Sequence, residues 1–344
     1  MTLLEARDLR VEFASRGRRA RAVDGVNLVV GQGEIVALVG ESGCGKTTLA
    51  RTLLGLERPA SGSVLYGGVP LGYSSRALRA HRREVQLVLQ DPTGSLNPRH
   101  TVYEAVAEGP RIHRLPGEGE RVASALSRAG LRPPERFFDR HPHELSGGQR
   151  QRVVIAGALA LDPRVLVADE PVASLDASVR GEILALLLRL RDELGLSALV
   201  VTHDLGLAWN IADRVAVMYL GRIVESGPVE RILTEPSHPY TQALLSVLPE
   251  SPSPVVLGGE PPDPTRIPPG CRFHPRCQVL ASGAAAEAGV DGLCVSRPLP
   301  VLPSPPSLPS PSSFAAAQVA CHHAEARAAS ARHEADADAE AERR

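Results

Sequence analysis

One eight-residue stretch, Gly40-Glu41-Ser42-Gly43-Cys44-Gly45-Lys46-Thr47, limits the folds open to this chain more than any other. It fits G-x-x-x-x-G-K-[ST], the pattern of a loop whose backbone N–H groups cradle phosphate. Before it, Glu34 to Val39 reads EIVALV, a short apolar run suited to a buried strand. After it, Lys46 to Leu54 reads KTTLARTLL, a helix start. In a strand–loop–helix unit of this kind the N–H groups converge on phosphate oxygens, and the positive end of the helix points the same way. The loop residues from Gly40 to Thr47, with Thr48, are therefore the candidate phosphate binders. Lys46 would reach the β- and γ-phosphates, and the Thr47 hydroxyl would ligate Mg²⁺. Lys46 is also the only lysine among the 38 Lys and Arg residues of the chain. A loop wrapped closely round phosphate has room for a compact ammonium on a thin stem, and less for a planar guanidinium.

Composition narrows the class. A length of 344 residues suits one large domain or two smaller ones. A formal net charge of −1 advertises no broad basic face for nucleic acid. No apolar run approaches the length of a membrane span. The opening MTLLEARDLRVEF lacks the charged-then-apolar layout of a secretory signal, so the expected compartment is the cytoplasm. Disulfides are rare there, and clustered cysteines point to metal or redox chemistry instead. Of the five cysteines, Cys44 lies in the glycine loop; Cys271, Cys277, Cys294 and Cys321 lie in the last quarter of the chain.

Taken in order, LEARDLRVEF and AVDGVNLVV, within Leu3 to Val30, read as two strands of an antiparallel sheet, with the basic stretch Arg16 to Arg21 as an exposed loop between them. Phe13 is a candidate for stacking on an adenine ring, or an ordinary strand aromatic packed into the sheet. Ser61 to Leu71 suggests a hairpin, Arg76 to Arg83 a short basic helix, and Val85 to Leu89 a buried strand that ends at Gln90. From Asp91 to about Asp162 the pattern turns helical, an insertion within an α/β framework entered through Pro92 and Pro98. RVLVADE, from Arg164 to Glu170, reads as a core strand delivering Asp169 and Glu170 at its C-terminal end, where α/β sheets place ligands. ALVVT, from Ala198 to Thr202, is a second such strand, ending at His203. A hairpin around Gly221 follows, and the catalytic body is expected to close near Leu233.

Five spaced motifs together resemble the ATP-binding subunit of an ABC transporter. They are the phosphate loop, Leu145-Ser146-Gly147-Gly148-Gln149 as the family's LSGGQ signature, Asp169-Glu170, Ser174-Leu175-Asp176, and the pair Gln90 and His203. The ordered set covers roughly the first 235 residues and is far more specific than any member alone. His238-Pro239-Tyr240-Thr241-Gln242-Ala243-Leu244-Leu245, Gly270 to Cys277 and Val319 to His322 are similar to the C-terminal part of the oligopeptide and dipeptide importers. The resemblance implies an α/β fold: a P-loop NTPase (ABC ATPase) core over 1–235 with an antiparallel β subdomain and a helical insertion over about 91–162. It further implies a Cys-containing C-terminal extension over 236–323. Residues 324–344, Ala-rich with mixed charges, are expected to be a disordered tail or a frayed helix.

The resemblance also implies roles. Asp169 binds Mg²⁺ with Thr47 and Gln90, Glu170 orients or deprotonates the attacking water, and His203 senses the γ-phosphate. Gln90 also couples the site to the helical insertion. Ser146, Gly147, Gly148 and Gln149 act on the ATP of a partner ATPase through a helix N-terminus, and Asp176 links the two sites. The partners implied are a second ATPase, identical or related, two integral-membrane permease subunits and, indirectly, an external solute-binding protein. The location implied is peripheral, on the cytoplasmic face of the inner membrane. Four thiols suit zinc or an iron–sulfur cluster equally by count, and unliganded thiols are the third option. The resemblance favours a [4Fe–4S] cluster, although Ala281 to Asp291 and the Pro/Ser run Pro298 to Ser313 widen the last two gaps. A different class, a soluble ABC ATPase acting on ribosomes or DNA, would be expected to carry two cassettes or a long coiled coil. This chain has one phosphate loop and no sustained heptads.

Overall fold

The computed structural model describes residues 2–15, 17–248, 254–255, 257–303 and 317–330. The later part of the Pro/Ser run, the tail beyond residue 330 and residues 249–253 of the Pro/Gly/Ser-rich segment lie outside the described residues.

The chain opens with an antiparallel ribbon, β1 (Thr2–Ser15) and β2 (Arg18–Gly31), paired from Leu4 opposite Val30 to Ser15 opposite Arg18 with register shifts between Ala6 and Arg10 and between Val11 and Glu12. The expected basic loop is therefore shorter than the sequence suggests, because Arg18, Arg19 and Arg21 belong to β2. Their side chains are exposed on an edge strand, where charge serves as well as in a loop. β3 (Ile35–Val39) is buried at every position, which is why its sequence shows no alternation. α1 (Lys46–Leu53) follows the glycine loop, and the hairpin β4 (Ser61–Tyr66) and β5 (Val69–Pro70) completes a four-stranded sheet in the order β2-β1-β4-β5. α2 (Ser75–Glu84) leads into β6 (Val85–Val88).

The helical segment contains α3 (Pro92–Ser95), α4 (Val102–His113), α5 (Glu118–Arg128) and α6 (Gly147–Leu159). Thr101 and Glu104 form a reciprocal capping box at the start of α4. Buried Val106, Val122, Leu126, Val153 and Ala156 belong to the core cluster that ties these helices to the large sheet. Then come β7 (Val165–Asp169), α7 (Ala177–Leu194), β8 (Ser197–Thr202), α8 (Leu205–Ile211), β9 (Arg214–Tyr219), β10 (Arg222–Pro228), α9 (Val229–Thr234) and α10 (Pro239–Ser246). Three short helices, α11 (Gln278–Ala281), α12 (Ala284–Glu287) and α13 (Asp291–Ser296), precede β11 (Gln318–Val319).

Among the described residues the large sheet has the order β11-β10-β9-β3-β8-β7-β6. Its centre is parallel, and β10 and β11 are antiparallel additions at one edge. β3 lies between β9 and β8, so the glycine loop leaves the sheet at the same edge as Asp169 of β7 and Thr202 of β8.

The main body does not finish near Leu233. The chain returns after α13, and Gln318 and Val319 pair with Ser226 and Glu225 of β10, with the Ala320 N–H donating to the Val224 carbonyl at 2.8 Å. Two residues held by main-chain bonds carry no side-chain pattern, so this strand is invisible in the sequence. The extension is also anchored by Phe273, which is 1% exposed and packs edge-on against Tyr219 at 5.2 Å and beside Tyr240 at 5.3 Å between ring centroids. Arg272 forms a buried pair with Asp24 of β2. Burial alone would raise the Asp24 carboxyl, but Arg272, with Arg222 and Arg10, holds it below its ordinary value.

At the start of α10 the His238 ring caps the helix, Nδ1 accepting the Tyr240 N–H at 3.0 Å, while Nε2 has no partner among the described residues. Full burial lowers this imidazole from about 6.5 to about 3. The folded state therefore binds fewer protons than the unfolded one. The contribution to stability is present above the unfolded value and is lost as pH falls from about 6.5 towards 3. Glu225, whose carboxyl is raised by burial, works in the opposite direction, so the comparison must be with a variant. In urea unfolding, His238→Asn, which keeps a capping oxygen, is expected to show a weaker loss of stability between pH 6.5 and pH 4 than the parent chain.

Candidate nucleotide site

The glycine loop is held by two close approaches of backbone to backbone. Gly40 has φ 153° and a β-carbon there would overlap the Met218 carbonyl oxygen; Gly45 has φ 111° and a β-carbon there would overlap the Ala22 carbonyl oxygen. Both positions need glycine twice over, for the backbone angle and for the space. Gly43, at φ 77°, faces open space. Inside the turn Lys46 is only 7% exposed, and its Nζ donates to the carbonyls of Gly40 at 2.7 Å and Glu41 at 2.9 Å.

Loop residues line one cleft of about 650 Å³ with Thr47, Thr48, Gln90, Asp169, Glu170 and His203, and with Ala22 and Leu244 at its margins. Thr47 Oγ1 lies 3.5 Å from Asp169 Oδ1. Burial pushes the Asp169 carboxyl above its ordinary value; the Thr47 hydroxyl opposes the shift and the Glu170 charge adds to it. Glu170 sits at φ 49°, an uncommon angle for a residue with a side chain. Its N–H donates to the Val201 carbonyl at 2.9 Å, which fixes the turn at the end of β7. Glu170 Oε1 lies 2.7 Å from His203 Nδ1, with Thr202 Oγ1 3.5 Å from the other carboxylate oxygen.

This donor set fits a nucleotide phosphate with a divalent cation. The N-terminus of α1 carries the Lys46 ammonium inside the glycine turn, and a hydroxyl sits beside a carboxylate that burial penalises while it is uncompensated.

Other sequence-identified residues lie elsewhere. Cys44 is 7% exposed, belongs to the core beneath the loop and does not line the cleft; burial pushes its thiol up. Phe13 stands on β1 opposite Ala20, 40% exposed, and is not a lining residue. Ser146, Gly147, Gly148, Gln149 and Asp176 are also outside the cleft. Ser146 and Gln149 make the capping box of α6: the Gln149 N–H donates to Ser146 Oγ at 3.2 Å and the Ser146 N–H to Gln149 Oε1 at 3.0 Å. Asp176 caps α7, accepting from the Val179 N–H at 3.0 Å and the Ser178 hydroxyl at 2.8 Å, and these bonds hold its carboxyl below the ordinary value. Gly148 packs against Val179, so the two caps adjoin.

The four C-terminal cysteines share one neighbourhood as free thiols, and the Cys271 N–H donates to the Cys294 carbonyl at 2.9 Å. Burial pushes all four upward, Cys271 to about 12 and Cys321 to about 11, with other thiols of the set adding to the shift at Cys271, Cys294 and Cys321. Among the described residues, no group of three or more His, Cys, Asp or Glu side chains is arranged to hold a metal ion. The expectation of a formed metal centre is not met by this geometry.

Two contacts were not legible in the sequence. The Glu41 N–H donates to the Tyr240 hydroxyl at 2.8 Å, and Arg276 pairs with the Glu41 carboxylate at 2.7 and 3.0 Å.

Comparison with known proteins decides the family. Residues 23–173 match the family described as "ABC transporter", and residues 224–282 match "Oligopeptide/dipeptide transporter, C-terminal region". A Haemophilus influenzae protein, "Dipeptide transport ATP-binding protein DppF", is 46% identical over 274 residues, covering 76% of this chain and 83% of that protein. The chain belongs to the ATP-binding proteins of ABC transporters. The fold agrees: CbiO1 of Clostridium perfringens, part of the ABC transporter complex CbiONQ, aligns at TM-score 0.62 with 35% identity, over 68% of this chain and 91% of that one. The ATP-binding cassette MJ0796, solved as a dimer with ADP and Pi, aligns at TM-score 0.59 with 30% identity, over 66% and 99%. As a member of this ATPase family the chain binds and hydrolyses ATP.

The loop geometry predicts a contrast between two substitutions. Gly45→Ala, which forces a methyl onto the Ala22 carbonyl, is expected to abolish measurable ATP binding. Gly43→Ala meets only the backbone cost of a positive φ, about 1 kcal/mol, and is expected to bind ATP within about tenfold of the parent in equilibrium titration.

Proposed function

We propose that this ABC ATPase energises the import of dipeptides or oligopeptides. The observation that carries the proposal is the match of residues 224–282 to the C-terminal region of oligopeptide/dipeptide transporters, continuous with a relative named for dipeptide transport. A cassette acting on ribosomes or DNA has no use for that region, and this alternative is set aside.

In the hydrolytic step Lys46, now bonded to loop carbonyls, would turn to the β- and γ-phosphates, and Thr47, Asp169 and Gln90 would hold Mg²⁺. When bound, the cation neutralises charge on the phosphate oxygens. Glu170 orients the attacking water and takes its proton; His203, already in contact with that carboxylate, keeps it aimed and senses the γ-phosphate. The backbone strain at Glu170, about 1–3 kcal/mol, is the cost of directing the carboxylate into the cleft.

Ser146 to Gln149 act in trans. They present the N-terminus of α6 to ATP held by a second ATPase, and the dimeric MJ0796 cassette supports such pairing. Asp176, capping the adjoining helix, links the two sites across the interface. The pair docks on two permease subunits at the cytoplasmic face of the inner membrane, with an external binding protein delivering solute. Among the described residues no helix is long and apolar enough to cross a membrane, in keeping with a peripheral subunit.

Cys271, Cys277, Cys294 and Cys321 are proposed to ligate a [4Fe–4S] cluster. What supports this is their shared neighbourhood, together with a sequence spacing that lacks the close C-x-x-C pairs of common zinc sites. The anaerobically purified chain should carry about four irons per chain and a broad visible absorption; zinc, or a colourless metal-free protein, would remove this part of the proposal.

The transport assignment is tested in vesicles containing both permease subunits, both ATPases and a peptide-loaded binding protein. ATP-driven dipeptide accumulation is expected. Glu170→Gln should cut hydrolysis and uptake by about 100-fold or more while ATP binding persists. Hydrolysis without uptake would defeat the import reading; undiminished hydrolysis in Glu170→Gln would defeat the role given to that carboxylate.

A further inference from the structure

We propose that the C-terminal extension sets the affinity of the phosphate loop for nucleotide, with Arg276 and Tyr240 as positioning residues acting through Glu41. Glu41 is the second residue of the loop and lines the cleft. It is gripped at both ends by residues more than 190 positions away. Its N–H donates to the Tyr240 hydroxyl at 2.8 Å, and its carboxylate receives a bidentate pair from Arg276 at 2.7 and 3.0 Å.

Both gripping groups are themselves immobilised. The Arg276 side chain is 6% exposed; its Nε donates to the Gly258 carbonyl at 3.1 Å, and a terminal nitrogen reaches the Tyr219 hydroxyl at 3.5 Å. Tyr240 is fully buried, its ring 4.6 Å from that of Tyr219 between centroids. The fork of an arginine fixes a carboxylate in direction as well as place.

The physical need is plain. A carboxylate at the rim of a polyanion site repels the phosphates it faces, and within a cleft that repulsion is poorly screened. Arg276 neutralises the Glu41 charge and turns the carboxylate towards the extension. Tyr240 holds the start of the loop by its backbone, accepting the Glu41 N–H. Arg276 directly precedes Cys277, so the segment bearing the cysteines is mechanically tied to the nucleotide site. Coupling of this kind is reciprocal: what loosens the extension weakens nucleotide binding, and nucleotide firms the extension.

The inference rests on the nucleotide-binding role of Gly40 to Thr48, which the parent chain checks separately by binding ATP. The test is a double-mutant cycle on the full chain, reading the ATP dissociation constant by calorimetry without Mg²⁺, so that no turnover occurs. Unfolding of each variant without nucleotide is followed in parallel. Arg276→Gln is expected to weaken ATP about tenfold. The same substitution in a Glu41→Gln background, where no charge is left to neutralise, should cost less than about threefold. A purely structural role for Arg276 predicts equal losses in both backgrounds, and equal losses, or none, would overturn the proposal. Should Arg276→Gln fail to fold, Tyr240→Phe, which keeps the ring and removes the acceptor, carries the test. A loss of about threefold or more supports the proposal, and an unchanged affinity overturns it.

Discussion

Everything in this molecule that handles nucleotide depends on how closely the loop between β3 and α1 lies against its own protein. At Gly40 it runs along the Met218 carbonyl of β9, and at Gly45 along the Ala22 carbonyl of β2. These two contacts leave no room for a side chain. They turn the loop so that the start of α1 and the Lys46 ammonium share one small volume. Phosphate binding is thereby settled by backbone packing before any charged side chain is considered. The glycines give up the side chains that would otherwise brace the turn, and the bracing comes from two different sheets.

The chemistry is arranged around that fixed point by strand order. β3 lies between β9 and β8, with β7 next, so Asp169, Glu170 and His203 arrive at one edge from neighbouring strands. Their environments differ. Asp169 is raised by burial and sits beside Thr47, a combination relieved by a cation. Glu170 is turned by an unusual backbone angle and leans on His203. The α6 and α7 caps form a second constellation, adjoining one another and outside the residues that line the cleft. On the proposed reading, the cleft and the caps are two half-sites that do not meet in one chain and are completed by another ATPase.

How much of this could be read from the sequence depends on whether each feature has a local cause. β3, β7 and β8 were legible because strands buried on both faces leave continuous apolar runs. The start of α6 was legible only through the resemblance of Leu145 to Gln149 to the family signature, which implies a helix N-terminus there. The start of β2 was misplaced since arginines on an exposed edge look like a loop. β11 left no trace because two residues joined by main-chain bonds have no pattern to show. Phe13 could not be assigned, and its place on β1 opposite Ala20 puts it outside the residues that line the cleft. The grip of Arg276 and Tyr240 on Glu41 spans 235 and 199 positions and belongs wholly to tertiary packing. The cysteines were found as a group by count, but their spacing said nothing of the distances between thiols.

The central claim is that a nucleotide gripped by Lys46 in one ATPase is completed by Ser146 of another. The most direct measurement is the rate of ATP hydrolysis per chain, followed as the protein is diluted and its mass is tracked by light scattering, alone and with added partner ATPase. The account predicts that hydrolysis follows the paired fraction and vanishes in the monomer. A lone, monomeric chain that traps ATP and hydrolyses it at the full rate would contradict it.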